Sequence, residues 1–327
     1  MIRISFQISS LLFFLGLLFS CKKQTESINV PKTMVFEKFL SSYNVYQGTK
    51  SELIPANDFH EIELASSLFV NYAQKQRLIK LPNGQKIKKI DQGLPLFPEG
   101  TILVKTFFYY NNESNKNLGK QIIETRLLIK HQEKWNVATY VWNVEQTEAI
   151  LKSSGLSKTI TWVDQSGQSK TVQYQIPSEK DCFTCHQSNN ELLPLGPTLT
   201  HMNVETVRNG FTVNQLQYFQ NIGMMEEFNH LDIPIFPDYF DENFTLAERG
   251  RAYFEMNCAH CHNPNGFEKC ASEGFDFRYI TPLENTKILP KQDKIVKEME
   301  KGDMPWIGTE TIDKEGLLLI KHYMISI

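Results

Sequence analysis

Two five-residue patterns constrain this chain more than anything else in it: Cys182-Phe183-Thr184-Cys185-His186 and Cys258-Ala259-His260-Cys261-His262. Both read Cys-x-x-Cys-His. Composition gives about 0.003 chance occurrences of that pattern in a chain with six cysteines and eight histidines, so two are not accidental. Two Cys-x-x-Cys pairs can hold one zinc ion, but zinc-ribbon pairs lie about 15–20 residues apart. Here 72 residues separate Cys185 from Cys258. A redox-active dithiol is the other alternative, and no βαβ pattern surrounds either pair. The spacing suits another chemistry. Two thiols three positions apart can add to the two vinyl groups of one porphyrin edge, and the adjacent histidine then falls beneath the iron. Each pattern therefore reads as an attachment site for haem c. Cys182, Cys185 and His186 form the first site, and Cys258, Cys261 and His262 the second.

The rest of the composition is that of a globular protein. The chain has 327 residues, 41% hydrophobic and 22% charged, a length that suggests two or three compact units. A formal charge of −3 supplies no excess of cations to neutralise phosphates, which argues against a nucleic-acid partner. Six cysteines are too few for a disulfide scaffold of this size.

One long apolar run exists, at the N-terminus, which excludes a polytopic membrane protein. Arg3, the run Leu11–Phe19 and then Ser20-Cys21 describe a signal peptide over residues 1–20. Its end resembles a bacterial lipoprotein signal, which implies lipidation of Cys21 and a periplasm-facing protein tied to a membrane. A plain secretory peptide is the alternative. Removing residues 1–20 removes Arg3, leaving 33 basic against 37 acidic side chains, a charge of −4. Residues 21–33 are polar and aperiodic, a tether.

Residues 34–176 predict a strand-rich domain. Thr101–Tyr110, Ile122–Ile129 and Trp135–Trp142 are β-branched and aromatic runs separated by short polar turns. Connections this short require antiparallel pairing, in a small sandwich or barrel. Pro82-Asn83-Gly84 predicts a hairpin between Leu78–Leu81 and Ile87–Ile90, and Gln165–Gln168 another between Thr159–Val163 and Thr171–Ile176. A short helix is expected near Glu145–Leu151. His60 and His131 are lone histidines with no catalytic partners in sequence.

The fold class expected is α+β and multidomain, the β domain being followed by two small helical haem domains over residues 177–241 and 242–327. In the second, Thr245 and Glu248 form a capping box, and the helix they start presents Gly250, Tyr253 and Phe254 before it reaches Cys258. Gly250 lets another helix approach closely. Glu315–Ile327 predicts a last helix. Residues 242–327 thus resemble a class I cytochrome c domain. The resemblance implies that Met304, followed by Pro305 and placed before the last helix, supplies the second haem's sixth ligand. In the first domain Thr212–Ile222 predicts a helix capped by Thr212 and Gln215. The sixth ligand there stays open among Met224, Met202, Met225, His201 and an unligated position, with Met224 slightly ahead. Cys270 is left over as a thiol near the second site.

From about residue 50 onward the chain also resembles a family of exported dihaem c-type cytochromes with an N-terminal strand-rich domain. The segments that carry this are Phe97-Pro98-Glu99-Gly100-Thr101, Ile123–Ile129, Tyr140-Val141-Trp142-Asn143, Gln146–Ala149, Pro194-Leu195-Gly196-Pro197 and Asn257–His262. The stretch from Cys261 to Met304 is shorter than is usual in that family. The resemblance implies two covalently bound haems and one-electron transfer between a redox donor and an acceptor. Haem propionates would add to the negative charge, so such partners would present a less acidic face. Two other functions stay open: a dihaem enzyme that works at an unligated first haem, and a redox-sensing binding module.

Overall fold

The computed structural model describes residues 34–306 and 308–327. The expected signal peptide, the Cys21 anchor and the tether up to residue 33 lie outside the described residues.

The apolar runs of the middle region form one six-stranded antiparallel sheet. Its strands are β1 (His60–Glu61), β2 (Gln74–Lys80), β3 (Ile102–Tyr110), β4 (Lys120–His131), β5 (Lys134–Trp142) and β6 (Ala149–Leu151). Each strand pairs with its neighbours in the chain, so spatial order equals chain order. The sheet is open, with β1 and β6 at its edges. A separate hairpin, β7 (Leu156–Val163) and β8 (Ser169–Ile176), packs Ile160, Trp162, Val172 and Tyr174 against Phe107, Tyr109 and Ile123 on one face. The other face buries Leu78, Val104, Phe108, Ile122, Leu127 and Tyr140 with the chain before β1.

Strict alternation cannot put Ile122 and Leu127 on one face, because their numbers differ in parity. A register shift opposite Phe107 and Phe108 supplies the missing residue, and Ile123 turns to the hairpin side. The same face carries Lys105 and Arg126, which becomes important at the site.

Three local expectations are corrected. Pro82-Asn83-Gly84 makes a turn but no hairpin. β2 pairs with β3 instead, and Ile87 bridges in parallel to Met225. Leu78 and Ile79 are both fully buried and need a strand that is apolar on both faces, which Lys86–Lys89 does not offer. No helix forms near residue 145. Asn143 Oδ1 accepts the backbone N–H groups of Thr147 (2.9 Å) and Glu148 (3.2 Å), closing a turn, and β6 then joins the sheet edge. Thr212 lies in a strand rather than at a helix cap.

The first pentad occupies α1 (Glu179–His186), whose start is a reciprocal capping box between Ser178 and Asp181. Two small hairpins and a short helix follow: β9 (Gln187–Ser188) with β10 (Glu191–Leu192), α2 (Leu199–Met202), then β11 (Glu205–Arg208) with β12 (Phe211–Asn214). Asn214 caps α3 (Gln215–Asn221) by accepting from Leu216 and Gln217.

The C-terminal part contains α4 (Leu246–Phe254), α5 (Glu268–Ala271), α6 (Gln292–Lys301) and α7 (Lys314–Ser326). Thr245 and Glu248 cap α4 reciprocally, as the sequence predicts. α4 and α7 cross in contact, with Ala252, Tyr253, Phe254, Leu319, Ile320 and Tyr323 in one core. All the described elements belong to one compact unit. No helix among the described residues is long and apolar enough to cross a membrane.

Candidate functional site

Positions i, i+3 and i+4 of a helix share a face. In α1 this puts Cys182, Cys185 and His186 on one side of the last turn and a half. The second pentad follows the same logic through a different element. α4 runs into a π-turn over Glu255–Ala259, and the backbone N–H groups of Cys261 (3.1 Å) and His262 (2.9 Å) both bond to the carbonyl of Cys258. π-turns inside helices recur at functional positions.

Both pentads open onto one cavity of about 430 Å³, within the range of about 300–1,000 Å³ usual for cofactor and ligand sites. Cys182, Cys185 and His186 line it from α1, and Cys258, His260, Cys261 and His262 from the π-turn. Met304 and Pro305 line it from the loop between α6 and α7. The two motifs are distant in sequence and adjacent in space. Donor atoms of Cys185, His260 and Cys261 all lie within 4.8 Å of one another. Backbone bonds hold this juxtaposition: the N–H of Asn189, just after the first pentad, bonds to the carbonyl of Asn265, just after the second (3.2 Å). Asn257 (1% exposed) precedes the second pentad and accepts the N–H of Phe69 at 2.7 Å, tying the pentad to the loop before β2.

The two terminal histidines sit in environments that keep the ring neutral. Burial pushes His186 down to about 3, although its Nδ1 bonds to the carbonyl of Leu193 at 2.9 Å. That bond turns Nε2 away from Leu193. Burial likewise pushes His262 down to about 4, and its Nδ1 is buried without a hydrogen-bond partner among the described residues. Phe275 and Phe277 pack against its ring at centroid distances of 5.6 and 5.4 Å.

The thiols are unequal. A hydrogen bond from Cys261 holds Cys185 down at about 5 against its burial, with His260 adding to the effect. Cys261, bonded to both Cys185 and Cys270, is pushed up. Burial raises Cys182 to about 11 and Cys258 to about 12. Cys270 lines the same cavity. Cys185 and Cys270, both bonded by the Cys261 thiol, are therefore the two held toward the thiolate, the form that attacks electrophiles and binds metals.

The sheet supplies the remaining wall, which sequence reasoning did not find. Lys105 and Arg126 reach the cavity from β3 and β4. Burial pulls the Lys105 amine well below its ordinary pKa, with Arg77 and Arg126 adding to the effect. Arg126 is held by Glu124, with Nη2 at 2.6 Å and Nε at 3.0 Å from its two oxygens. A signal was present: Lys105 occupies an inward position between Leu103 and Phe107 of an otherwise apolar strand face.

The first-site candidates from sequence lie elsewhere. Met224, Met202, Met225 and His201 are buried but do not line the cavity. The Met224 carbonyl accepts the N–H of Ile87 (2.8 Å), and His201 packs on Phe236 with centroids 4.1 Å apart. His60 and His131 do not line it either.

No protein-family model, curated protein or solved structure matches this chain.

Proposed function

We propose that this chain is a dihaem c-type electron carrier. One haem c would be held through Cys182, Cys185 and His186, and the other through Cys258, Cys261 and His262 with Met304 as sixth ligand. The observation that carries the reading is the convergence of both Cys-x-x-Cys-His pentads on one cavity.

The donor set fits covalently held haem. Neutral imidazole is the ligating form, and burial keeps both His186 and His262 neutral. The Leu193 carbonyl fixes the His186 ring from behind, the usual orienting bond for a metal-ligating histidine. His262 has no such orienting bond among the described residues, its Nδ1 being buried without a partner, and its ring is packed by Phe275 and Phe277 instead.

Haem bound in this way supplies one-electron cycling between Fe(III) and Fe(II). The chain's own residues do the rest. Phe254, Phe275 and Phe277 pack on the side of His262, while Lys105 and Arg126 line the cavity from the sheet. The proximity of the Cys185 and Cys261 sulfurs supports a relay between two adjacent haem edges within the chain. With the N-terminal sequence, the reading extends to an exported, lipid-anchored protein passing electrons between a donor and an acceptor protein.

A second reading has its own observation. Cys185, His260 and Cys261, with Cys270 bonded to Cys261, form a sulfur-rich donor set suited to zinc. Sequence separation argued against such a site, and the fold removes that argument. One measurement on the exported full-length protein decides between the two: a pyridine haemochrome assay alongside metal analysis. Two haems and no stoichiometric zinc are expected. One zinc per chain without haem would replace the first reading by the second.

A further inference from the structure

We infer that Asn71, in the loop before β2, is the positioning residue for Met304, so that the sheet domain holds the second haem's sixth ligand in place. This rests on the dihaem reading above and adds to it what keeps a loop methionine on the iron.

A methionine carried by a loop ligates only as well as the loop is held, because freedom kept in the unligated state is lost on binding. The loop between α6 and α7 does little to hold itself. Among the described residues from 305 to 312, none makes a backbone–backbone hydrogen bond. Its first end hangs from α6, where the N–H of Met304 bonds to the carbonyl of Glu298 (3.3 Å). Its other end is held from outside, by one side chain. Asn71 Oδ1 accepts the backbone N–H groups of Glu310 (2.6 Å) and Thr311 (3.1 Å), and Nδ2 donates to the carbonyl of Gly308 (3.4 Å). Two backbone N–H groups can only donate, which fixes the orientation of the amide. The hydroxyl of Thr309, inside the held segment, donates to the carbonyl of Pro305, the residue after Met304. Met304 therefore sits between two anchors, and Asn71 supplies the second.

Asn71 is itself fixed. It is 0% exposed, and its carbonyl accepts the Tyr109 hydroxyl from β3 at 2.7 Å. Its backbone stands in the left-handed region at φ 50°, where asparagine is several-fold enriched. Tyr72 follows and adds two longer bonds, its hydroxyl donating to the Ile312 carbonyl (3.3 Å) and accepting from the N–H of Lys314 (3.4 Å).

The same loop grips the other side of the second site. Phe69 donates its N–H to Asn257, the residue before Cys258, and Leu68, Phe69 and Val70 line the cavity. Asn257 in turn donates to the Tyr253 carbonyl of α4 at 3.1 Å. Residues 68–72 thus tie the attachment cysteine and the methionine loop to the start of one strand. This gives the sheet domain a part in the redox site: it governs the sixth ligand, and with it the potential, from outside the helical fold.

The test uses the full-length protein carrying both haems, with variants that suit the left-handed backbone. Asn71→Gly removes the side chain without strain, and Asn71→Asp keeps an oxygen that accepts from Glu310 and Thr311. Wild type should show a ferric iron–methionine charge-transfer band. Asn71→Gly should lose most of that band, bind one more carbon monoxide per chain than wild type on reduction, and lower one midpoint potential, with haem content unchanged. Asn71→Asp should retain the band, and it serves as the test if the glycine protein fails to accumulate. Leu40→Ala, which opens a cavity on the far face of the sheet, should weaken the fold and leave the band and the potentials as in wild type. A glycine protein with the band and potentials of wild type overturns the inference. So does an aspartate protein that loses the band, or a Leu40→Ala protein that loses it equally. Haem stoichiometry is measured separately: a wild type without two haems, or without the band, removes the dihaem reading or its Met304 ligand, and the inference falls with it.

Discussion

Gly250 and Tyr323 occupy each other's space at the crossing of α4 and α7: a Cβ on Gly250 would stand 2.4 Å from Tyr323 Cγ. The contact is reciprocal. Gly316 on α7 meets Tyr253 on α4, where a Cβ would stand 2.2 Å from the ring. Each helix thus gives up one side chain so that the other's tyrosine can lie flat against it.

Gly250→Ala should therefore destabilise the protein, although alanine is the better helix former by about 1 kcal/mol. Tyr323 is 1% exposed and has no room to swing away, so overpacking of about 1–3 kcal/mol should prevail. Urea denaturation of wild type and variant measures it. An alanine variant as stable as wild type would mean that the helices can slide apart.

A second prediction concerns the sheet. Glu124 is 0% exposed, bonds Arg126 through both oxygens and accepts the Tyr174 hydroxyl at 2.7 Å. Breaking a buried pair leaves an uncompensated charge, so Glu124→Gln should cost about 3–5 kcal/mol. Replacing both partners, as Glu124→Gln with Arg126→Met, should cost clearly less than that single change. Chemical denaturation of the two variants gives the comparison, and a double variant worse than the single one refutes the pairing.

What the sequence made legible was mostly local. The strands at Thr101–Tyr110, Ile122–Ile129 and Trp135–Trp142 are long and apolar on both faces, and they formed within two residues of expectation. The Thr245–Glu248 cap formed because its signal lies within one turn. Failures came where partners are distant. The hairpin at Pro82 lost to pairing of β2 with β3, and the helix expected at Thr212 lost its first residues to pairing with β11. At the site, each pentad was readable by itself. That they share a cavity with Lys105, Arg126 and His260 follows from contacts between elements far apart in the chain, to which no local pattern gives access.

His201 sets a pH dependence. Burial holds its pKa at about 4 in the folded protein, against 6.5 ordinarily. Between those values the unfolded chain binds a proton that the folded chain does not, so stability rises with pH through the window. Acidification from 6.5 to 4 should then remove roughly 3 kcal/mol of stability through this group. His201→Gln should flatten that part of the profile in denaturation measured at several pH values. An unchanged slope in the variant would assign the acid sensitivity to other groups.

The last prediction separates the two irons. Met304 lines the cavity in the loop after α6, and Gly302, in the left-handed region at φ 74°, ends that helix two residues earlier. A thioether is a soft ligand that favours Fe(II), so Met304→Ala should lower one midpoint potential and open one iron to carbon monoxide, with haem content unchanged. Met304→His should restore six-coordination at a potential still below wild type. Potentiometric titration and carbon monoxide binding to the reduced full-length protein measure both effects. A Met304→Ala protein with both midpoint potentials unchanged and no site for carbon monoxide would mean that Met304 is not a ligand of the second iron.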